Sequence, residues 1–452
     1  MRFLHVNLHL ILTDRLAYGF SSYGLAKVAL FLDPFKEDSM STVLEDTGIP
    51  DLADPQTFAS GVPHEAFARI RQSPGLYWQP APFGTAHGGF WVVTRFADIQ
   101  ELESKPDIFS SQRGLAWPFT NLPKEPAENP VYNNLMGMDP PRHSRVRRVA
   151  AAAFGPRVVK NFDPWIRKIV VEVLDRIKQM DEFDYITEVA QTIPALVIAR
   201  VQGVPREDRQ WIVDQTISVF QAHQTGDIQK VTEVIQSTVQ YYRDRLVPEK
   251  LRHPQDDMTT VLAHAAERGE VSEEESYDFL HLLQGAGFET THTLIGQSMR
   301  MIIEDPQVAE RTYRGIEELG PGKVVEELLR IITPAMHMSR TATQDTALAG
   351  QAIKADDVLN IYFTAANRDP AVFSNPDEYD PWRTETASLT FGSGPHRCIG
   401  NALAKLELRI LFEEMNRRGM RLKSAGEPQR GWSTFINQIR SLPVAWATGA
   451  KP

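Results

Sequence analysis

Apolar residues recur at intervals of three and four through the middle of the chain, with charges between them, so the sequence predicts long amphipathic helices. Over residues 161–180 the stripe is Trp165, Ile169, Val173 and Ile177, which share one helix face. Two further helices are predicted over 205–223 and 227–247, parted by the polar turn Gln224-Thr225-Gly226. The segment 272–304 is longer than an average helix. Its acidic start suits the positive end of a helix dipole, and it turns apolar over 279–283, as a helix crossing a core does. Strand signals are short: Phe90-Trp91-Val92-Val93 and residues 358–363. No internal repeat, low-complexity tract or long linker divides the chain. The expectation is a mainly α protein with minor β, a single domain over residues 40–452. Residues 1–39 show no clear period, and Met40 opens an ordinary soluble start. That stretch is expected to be an N-terminal extension or a start-site artefact, with Met40 the natural first residue.

Composition narrows the function. The 452 residues are 42% hydrophobic and 23% charged, with a net charge of −10. Bulk charge therefore argues against nucleic-acid binding. No run approaches the roughly 20 apolar residues of a membrane span; the best, residues 8–12, is broken by Thr13-Asp14-Arg15. No cleavage pattern follows a clean apolar run, so the expected location is the cytoplasm. The chain has one cysteine, which excludes an internal disulfide. A lone cysteine is most often a small apolar core residue.

Its neighbours reverse that prior. Cys398 lies in Phe391-Gly392-Ser393-Gly394-Pro395-His396-Arg397-Cys398-Ile399-Gly400, and an apolar helical pattern follows at once. A cysteine at a helix mouth meets unpaired N–H groups and the positive dipole end, which favour thiolate. Gly392, Gly394 and Gly400 let the backbone turn and approach a flat ligand closely. At this point the sequence resembles the cytochrome P-450 family, whose F-G-x-G-x-H-x-C-x-G pattern is matched at every defined position. The resemblance covers roughly residues 50–450. It implies a triangular helical prism with a small mixed sheet, and haem b (iron protoporphyrin IX) with Cys398 as axial ligand to the iron.

Further motifs appear in the order the family requires. Asp139-Pro140-Pro141-Arg142-His143 begins a helix with prolines in its first turn, and His143 and Arg147 stand at i and i+4 on one face. The resemblance implies that this pair, with Arg340 and His396, reaches the haem propionates, for which arginine forks are suited. It adds Ala286, Gly287, Phe391, Gly392 and Gly400 as cofactor contacts. Glu327 and Arg330 form an E-x-x-R that Arg383 is expected to close into a buried network holding the cysteine loop.

The long helix carries Gly285-Ala286-Gly287-Phe288-Glu289-Thr290-Thr291. Small residues leave room for a flat cofactor and a diatomic ligand, and a threonine can bond back to the i−4 carbonyl. Splitting O2 needs protons in a site that excludes water. The resemblance assigns Glu289 as proton conduit and Thr290 as the hydroxyl beside the oxygen. It places Trp117, Phe119, Leu283, Met336, Phe435 and Ile436 around an apolar substrate, with His337 available to a polar substrate group.

The implied activity is hydroxylation of a small lipophilic molecule (a terpenoid, steroid or alkyl chain) with O2 as co-substrate. No reductase segment is present, so a ferredoxin and its NAD(P)H-dependent reductase are the implied partners. Arg142, Arg145, Arg148, Arg397, Lys405 and Arg409 form the expected docking cluster. The alternatives are a peroxide-driven peroxygenase and a haem-thiolate sensor without turnover; the intact Glu289-Thr290 pair argues against both.

Overall fold

The computed structural model describes residues 48–447 except Pro82, Pro130 and Gly226; the expectation for residues 1–39 lies outside them. Helices dominate. Those that position the site are α1 (Phe96–Glu103), α2 (Arg142–Ala151), α3 (Asp163–Ile177), α4 (Thr192–Val201), α5 (Arg209–Thr225), α6 (Ile228–Tyr241), α7 (Glu273–Glu304), α8 (Pro306–Leu319), α9 (Pro321–Ile332) and α10 (Asn401–Arg417).

The predicted long helix is α7, whose 32 residues span about 48 Å at the standard rise. A capping box starts it. Ser272 Oγ accepts from the Glu275 amide at 3.1 Å, and Glu275 accepts from the Ser272 amide at 2.9 Å. Helices α4, α5, α6, α8, α9 and α10 and the helix Met258–Glu267 pack around α7, so it is buried on several faces and serves as the axis of the helical core.

The helix expected over 161–180 is α3, but its buried face is Ile166, Val170, Val173, Leu174 and Ile177. Trp165 and Ile169 lie at the rim, partly buried. An apolar stripe one residue wide cannot show on which side of it the core lies. The third predicted helix starts as expected, with the Asp227 carboxylate accepting from the Lys230 amide at 3.0 Å. It then passes through a π turn at Tyr242–Leu246 and continues over Val247–Arg252.

Both predicted strands are present, and they pair with each other. β1 (Tyr77–Pro80), β2 (Gly89–Val93), β3 (Phe109–Ser110), β4 (His337–Ala342) and β5 (Val358–Tyr362) form a mixed sheet in the order β1-β2-β5-β4-β3. β2 and β5 run parallel, with Phe90 opposite Val358 and Val93 opposite Ile361; the other pairs are antiparallel. The sheet has its own apolar clusters beside the larger helical one. The loop 391–400 leads from the sheet side into α10, which packs on α3 and α9.

Candidate active site around Cys398

Two glycines shape the cysteine loop. Gly392 and Gly394 have φ of +66° and +60°, the left-handed region where a Cβ is disfavoured. A Cβ on Gly394 would stand 2.2 Å from the Glu103 carbonyl oxygen. Both glycines let the loop turn, and Gly394 lets it close on the end of α1. Gly400 is different: its φ is −84°, and a Cβ there would lie 3.9 Å from Cys398 Sγ, an ordinary contact.

The Cys398 amide donates to the Phe391 carbonyl at 2.8 Å, closing the loop. Lys405 stands over the Phe391 ring at 5.4 Å. Cys398 itself keeps exposed surface. Burial of its surroundings pushes the thiol up, opposed by the Gly400 amide and the charges of Arg147 and Arg397.

Behind the loop the structure brings Glu327, Arg330 and Arg383 together. Arg330 donates twice to Glu327, at 2.8 and 2.7 Å, and Arg383 Nε approaches the same carboxylate at 3.4 Å. Arg330 also donates to the carbonyls of Asn367, Pro376 and Glu378. Asn367 carries the connection onward, accepting from the Leu389 amide at 2.7 Å and donating to Thr390 at 2.9 Å. Those two residues lead directly into Phe391. Nothing local in the sequence marks Asn367, because its side-chain partners lie more than twenty residues away.

The four residues expected at the propionates gather in one place. His143 is buried, and both of its ring nitrogens lack a hydrogen-bond partner among the described residues. Its ring lies 4.1 Å from that of His396. Burial holds both imidazoles neutral, His143 near about 4 and His396 near about 2, with neighbouring arginines adding to the effect. His396 Nε2 meets Ser111 Oγ at 3.3 Å. Arg147 donates to the Arg397 carbonyl. Arg340 is buried and pairs at 3.2 Å with Glu103, an acid that no motif marked.

Away from its two ends, the exposed positions on α7 are Gly285 and Ala286, in mid-helix. Among the described residues nothing lies within 4 Å of a Cβ built on Gly285. Gly287 faces the other way: its Cβ would meet Ile198 Cδ1 at 2.5 Å, so this glycine seats α7 on α4 and is not a cofactor contact. Thr290 Oγ1 donates to the Ala286 carbonyl at 2.9 Å, the expected i−4 bond, while the helix remains continuous. Burial pushes Glu289 up to about 7, tempered by Gln438, whose Nε2 donates to it at 3.4 Å.

The expected substrate pocket needs most revision. Trp117 is 2% exposed and sits in an apolar cluster, stacked on Phe83 at 5.1 Å, with its indole N–H on the Ala53 carbonyl. Met336 and Ile436 are equally buried, and Phe119 stands at the surface. Leu283 is also buried. Leu282, partly buried, is the leucine that shares the face of Gly285, Ala286 and Glu289 by helical spacing. Phe435 keeps partial exposure beside His337. His337 is not free for a substrate: its Nε2 accepts from the Trp117 amide at 3.2 Å and its Nδ1 donates to the Thr434 carbonyl at 3.0 Å. Thr434 Oγ1 closes the ring on the Trp117 carbonyl at 3.2 Å.

The basic cluster is also thinner than the sequence suggests. Arg142 and Arg145 share Glu275, Lys405 holds Glu326, and Arg409 holds Asp163. Of the six, Arg148 and Arg397 have no acidic partner among the described residues.

A thiol presented beside a helix start, next to a buried and a half-buried histidine and two arginines that suit carboxylates, fits an iron porphyrin with two propionates. The unpartnered nitrogens of His143 and the open flank of Gly285 are consistent with such a group. The fold and the residues gathered at the site thus fit a helical protein that binds haem. The comparisons supply the family. A cytochrome P-450 family model matches residues 209–418. Cytochrome P-450 126 of Mycobacterium tuberculosis is 34% identical over 386 residues, 83% of this chain and 92% of that protein. The methyl-branched lipid omega-hydroxylase of the same species is 30% identical, over 84% and 90%. Linalool 8-monooxygenase of Pseudomonas putida is 29% identical, over 87% and 98%. A Mycobacterium marinum cytochrome P-450 solved in complex with pseudoionone superposes with a TM-score of 0.78 at 26% identity, covering 90% of this chain and all of that one. The chain belongs to the cytochrome P-450 family and is a monooxygenase, an oxidoreductase that incorporates oxygen. Among the described residues no helix is long and apolar enough to cross a membrane.

Proposed function

We propose that the protein hydroxylates a small lipophilic substrate, a terpenoid, steroid or alkyl chain, using haem b, O2 and two electrons from a ferredoxin and its NAD(P)H-dependent reductase. The haem, once bound, supplies reductive activation of O2 and insertion of one oxygen atom. Cys398 Sγ holds the iron. His143, Arg147, Arg340 and His396 hold the propionates, with Phe391, Gly392, Gly400 and Ala286 around the ring. Glu327, Arg330 and Arg383 brace the loop from behind.

The observation that carries this reading is the pairing of two features in one chain. A single cysteine stands in a glycine-shaped loop at a helix mouth, and an acid–alcohol pair stands on the helix that crosses the core. Glu289, near neutrality, both gives and regains a proton at its carboxyl oxygen. Thr290 holds its hydroxyl fixed by the Ala286 carbonyl, next to the exposed flank of the helix. That pair favours O2-driven chemistry over a peroxide-driven reaction. Substrate class rests on relatives alone, whose names give a methyl-branched lipid, linalool and, for the Rhodococcus jostii steroid C26-monooxygenase, a steroid. Arg148 and Arg397 remain as the cationic points for an acidic ferredoxin.

The test is spectral and then kinetic. The reduced, carbon monoxide-treated protein is expected to show the red-shifted Soret band of a thiolate-ligated haem, lost in Cys398→Ala. NADH consumption with added ferredoxin and reductase is expected to track formation of a hydroxylated product. A normal band with no product from any lipophilic panel member would favour a ligand-binding protein.

A further inference from the structure

Glu103 is the last residue of α1, and it is 5% exposed. Its Oε1 lies 3.2 Å from Arg340 Nη2. Its Oε2 accepts from both the amide and the hydroxyl of Ser393, each at 2.7 Å. All three partners can serve as donors, and Arg340 and the amide can do nothing else, so the contacts suit an ionised carboxylate, which only accepts. The main chain of Glu103 is fixed as well, because Gly394 packs directly against its carbonyl. Glu103 therefore joins the arginine expected at a propionate to the loop that carries the cysteine. The four groups proposed for the propionates are cations or neutral imidazoles; Glu103 adds a buried negative charge among them. Arg340 cannot swing fully to a propionate without abandoning it, since its Nη1 is also held by the Ser339 carbonyl at 2.9 Å.

We propose that Glu103 is a positioning residue that sets the charge felt by the haem: it shares Arg340 with a propionate and ties that arginine to the cysteine loop. The inference rests on the haem-thiolate reading above. A fixed negative charge in a poorly screened site favours the ferric over the ferrous form, because reduction adds one electron. Glu103 thus biases the iron toward the oxidised state and makes the first electron harder to accept.

The experiment compares midpoint potentials of the holoenzyme with those of Glu103→Gln, Glu103→Asp and Ser393→Ala, by spectroelectrochemistry against redox dyes. Haem transfer to excess apomyoglobin is followed alongside. Glu103→Gln keeps the shape and removes the charge, so its midpoint is expected to move positive. Glu103→Asp and Ser393→Ala keep the charge and are expected to stay close to the wild type. If Glu103→Gln loses its haem while Glu103→Asp retains it, the charge is again what matters, in support. A wild-type midpoint in Glu103→Gln overturns the proposal. So does loss of haem in both Glu103 variants, or in Glu103→Asp alone, which would mark a packing role. The carbon monoxide band separates the two levels of failure. Its absence from the wild type ends the haem-thiolate reading and this proposal with it, whereas its presence with unmoved potentials ends only the role of Glu103.

Discussion

The loop around Cys398 and the stretch of α7 around Glu289 are built by opposite means. The loop is held by polar groups that are nearly all satisfied: Glu103 on Ser393, Asn367 on Leu389 and Thr390, and Arg330 on Glu327 and three carbonyls. The helix stretch is held by apolar packing. Phe288 and His292 pack on Phe220, and Gly287 lets α4 come close. Its functional polar groups are sparsely held, Glu289 by one 3.4 Å bond and Thr290 by its own helix. A metal ligand must not move, so its support is a closed network. A proton donor must exchange partners, so it is left with bonds to spare.

The largest expected effect comes from opening the closed network. Glu327→Ala leaves Arg330 buried at 2% side-chain exposure with no carboxylate. The expected loss is about 3–5 kcal/mol of folding stability, read by denaturant titration of the holoenzyme. A loss under about 1 kcal/mol would mean that the carbonyls around Arg330 suffice and that the loop does not depend on the ion pairs.

Next comes the helix. Glu289→Gln and Thr290→Ala are expected to leave stability and the carbon monoxide band almost unchanged. Coupled product formation should fall about 10²-fold, while NADH is still consumed. Product per NADH is the measurement. If stability falls instead, the stretch is structural and the contrast with the loop disappears.

The same contrast explains what the sequence made legible. Short-range patterns with fixed spacing came through: the loop motif, the i, i+4 pair His143 and Arg147, the acidic start of α7, and both strands of the sheet. The Glu327, Arg330 and Arg383 cluster was legible only because a family resemblance joined distant segments. Glu103, Gln438 and Asn367 were not, since each acts across twenty or more residues and nothing local marks them. The substrate-side residues fared worst. An aromatic such as Trp117 reads the same whether it faces a ligand or a core, and only the packed neighbours Phe83 and Phe90 show that it is core. Gly287 failed for a related reason: a small residue on a helix marks a close approach without saying from which side.

That side can be tested. Gly287→Ala places a methyl 2.5 Å from Ile198 Cδ1, and overpacking of this kind costs about 1–3 kcal/mol. Thermal unfolding is expected to fall accordingly, with haem binding intact. Adding Ile198→Val removes the clashing carbon and should restore most of the loss. Failure of the second change to rescue, together with a disturbed haem spectrum, would return Gly287 to the cofactor side.

The smallest effect concerns Gln438. Its amide N–H stabilises the charged form of Glu289, so removing it in Gln438→Leu raises the carboxyl further above its present value of about 7. At 3.4 Å the bond is long, and the expected shift is below about one pH unit. If protonated Glu289 delivers the proton, coupled turnover in the wild type declines as pH rises through about 7. In Gln438→Leu that alkaline limb moves to higher pH, and in Glu289→Gln it vanishes. A limb that stays in place in Gln438→Leu but vanishes in Glu289→Gln would show that burial alone tunes the acid. A limb that survives Glu289→Gln would assign the titration to another group and remove the main reason for leaving this stretch of helix so sparsely bonded.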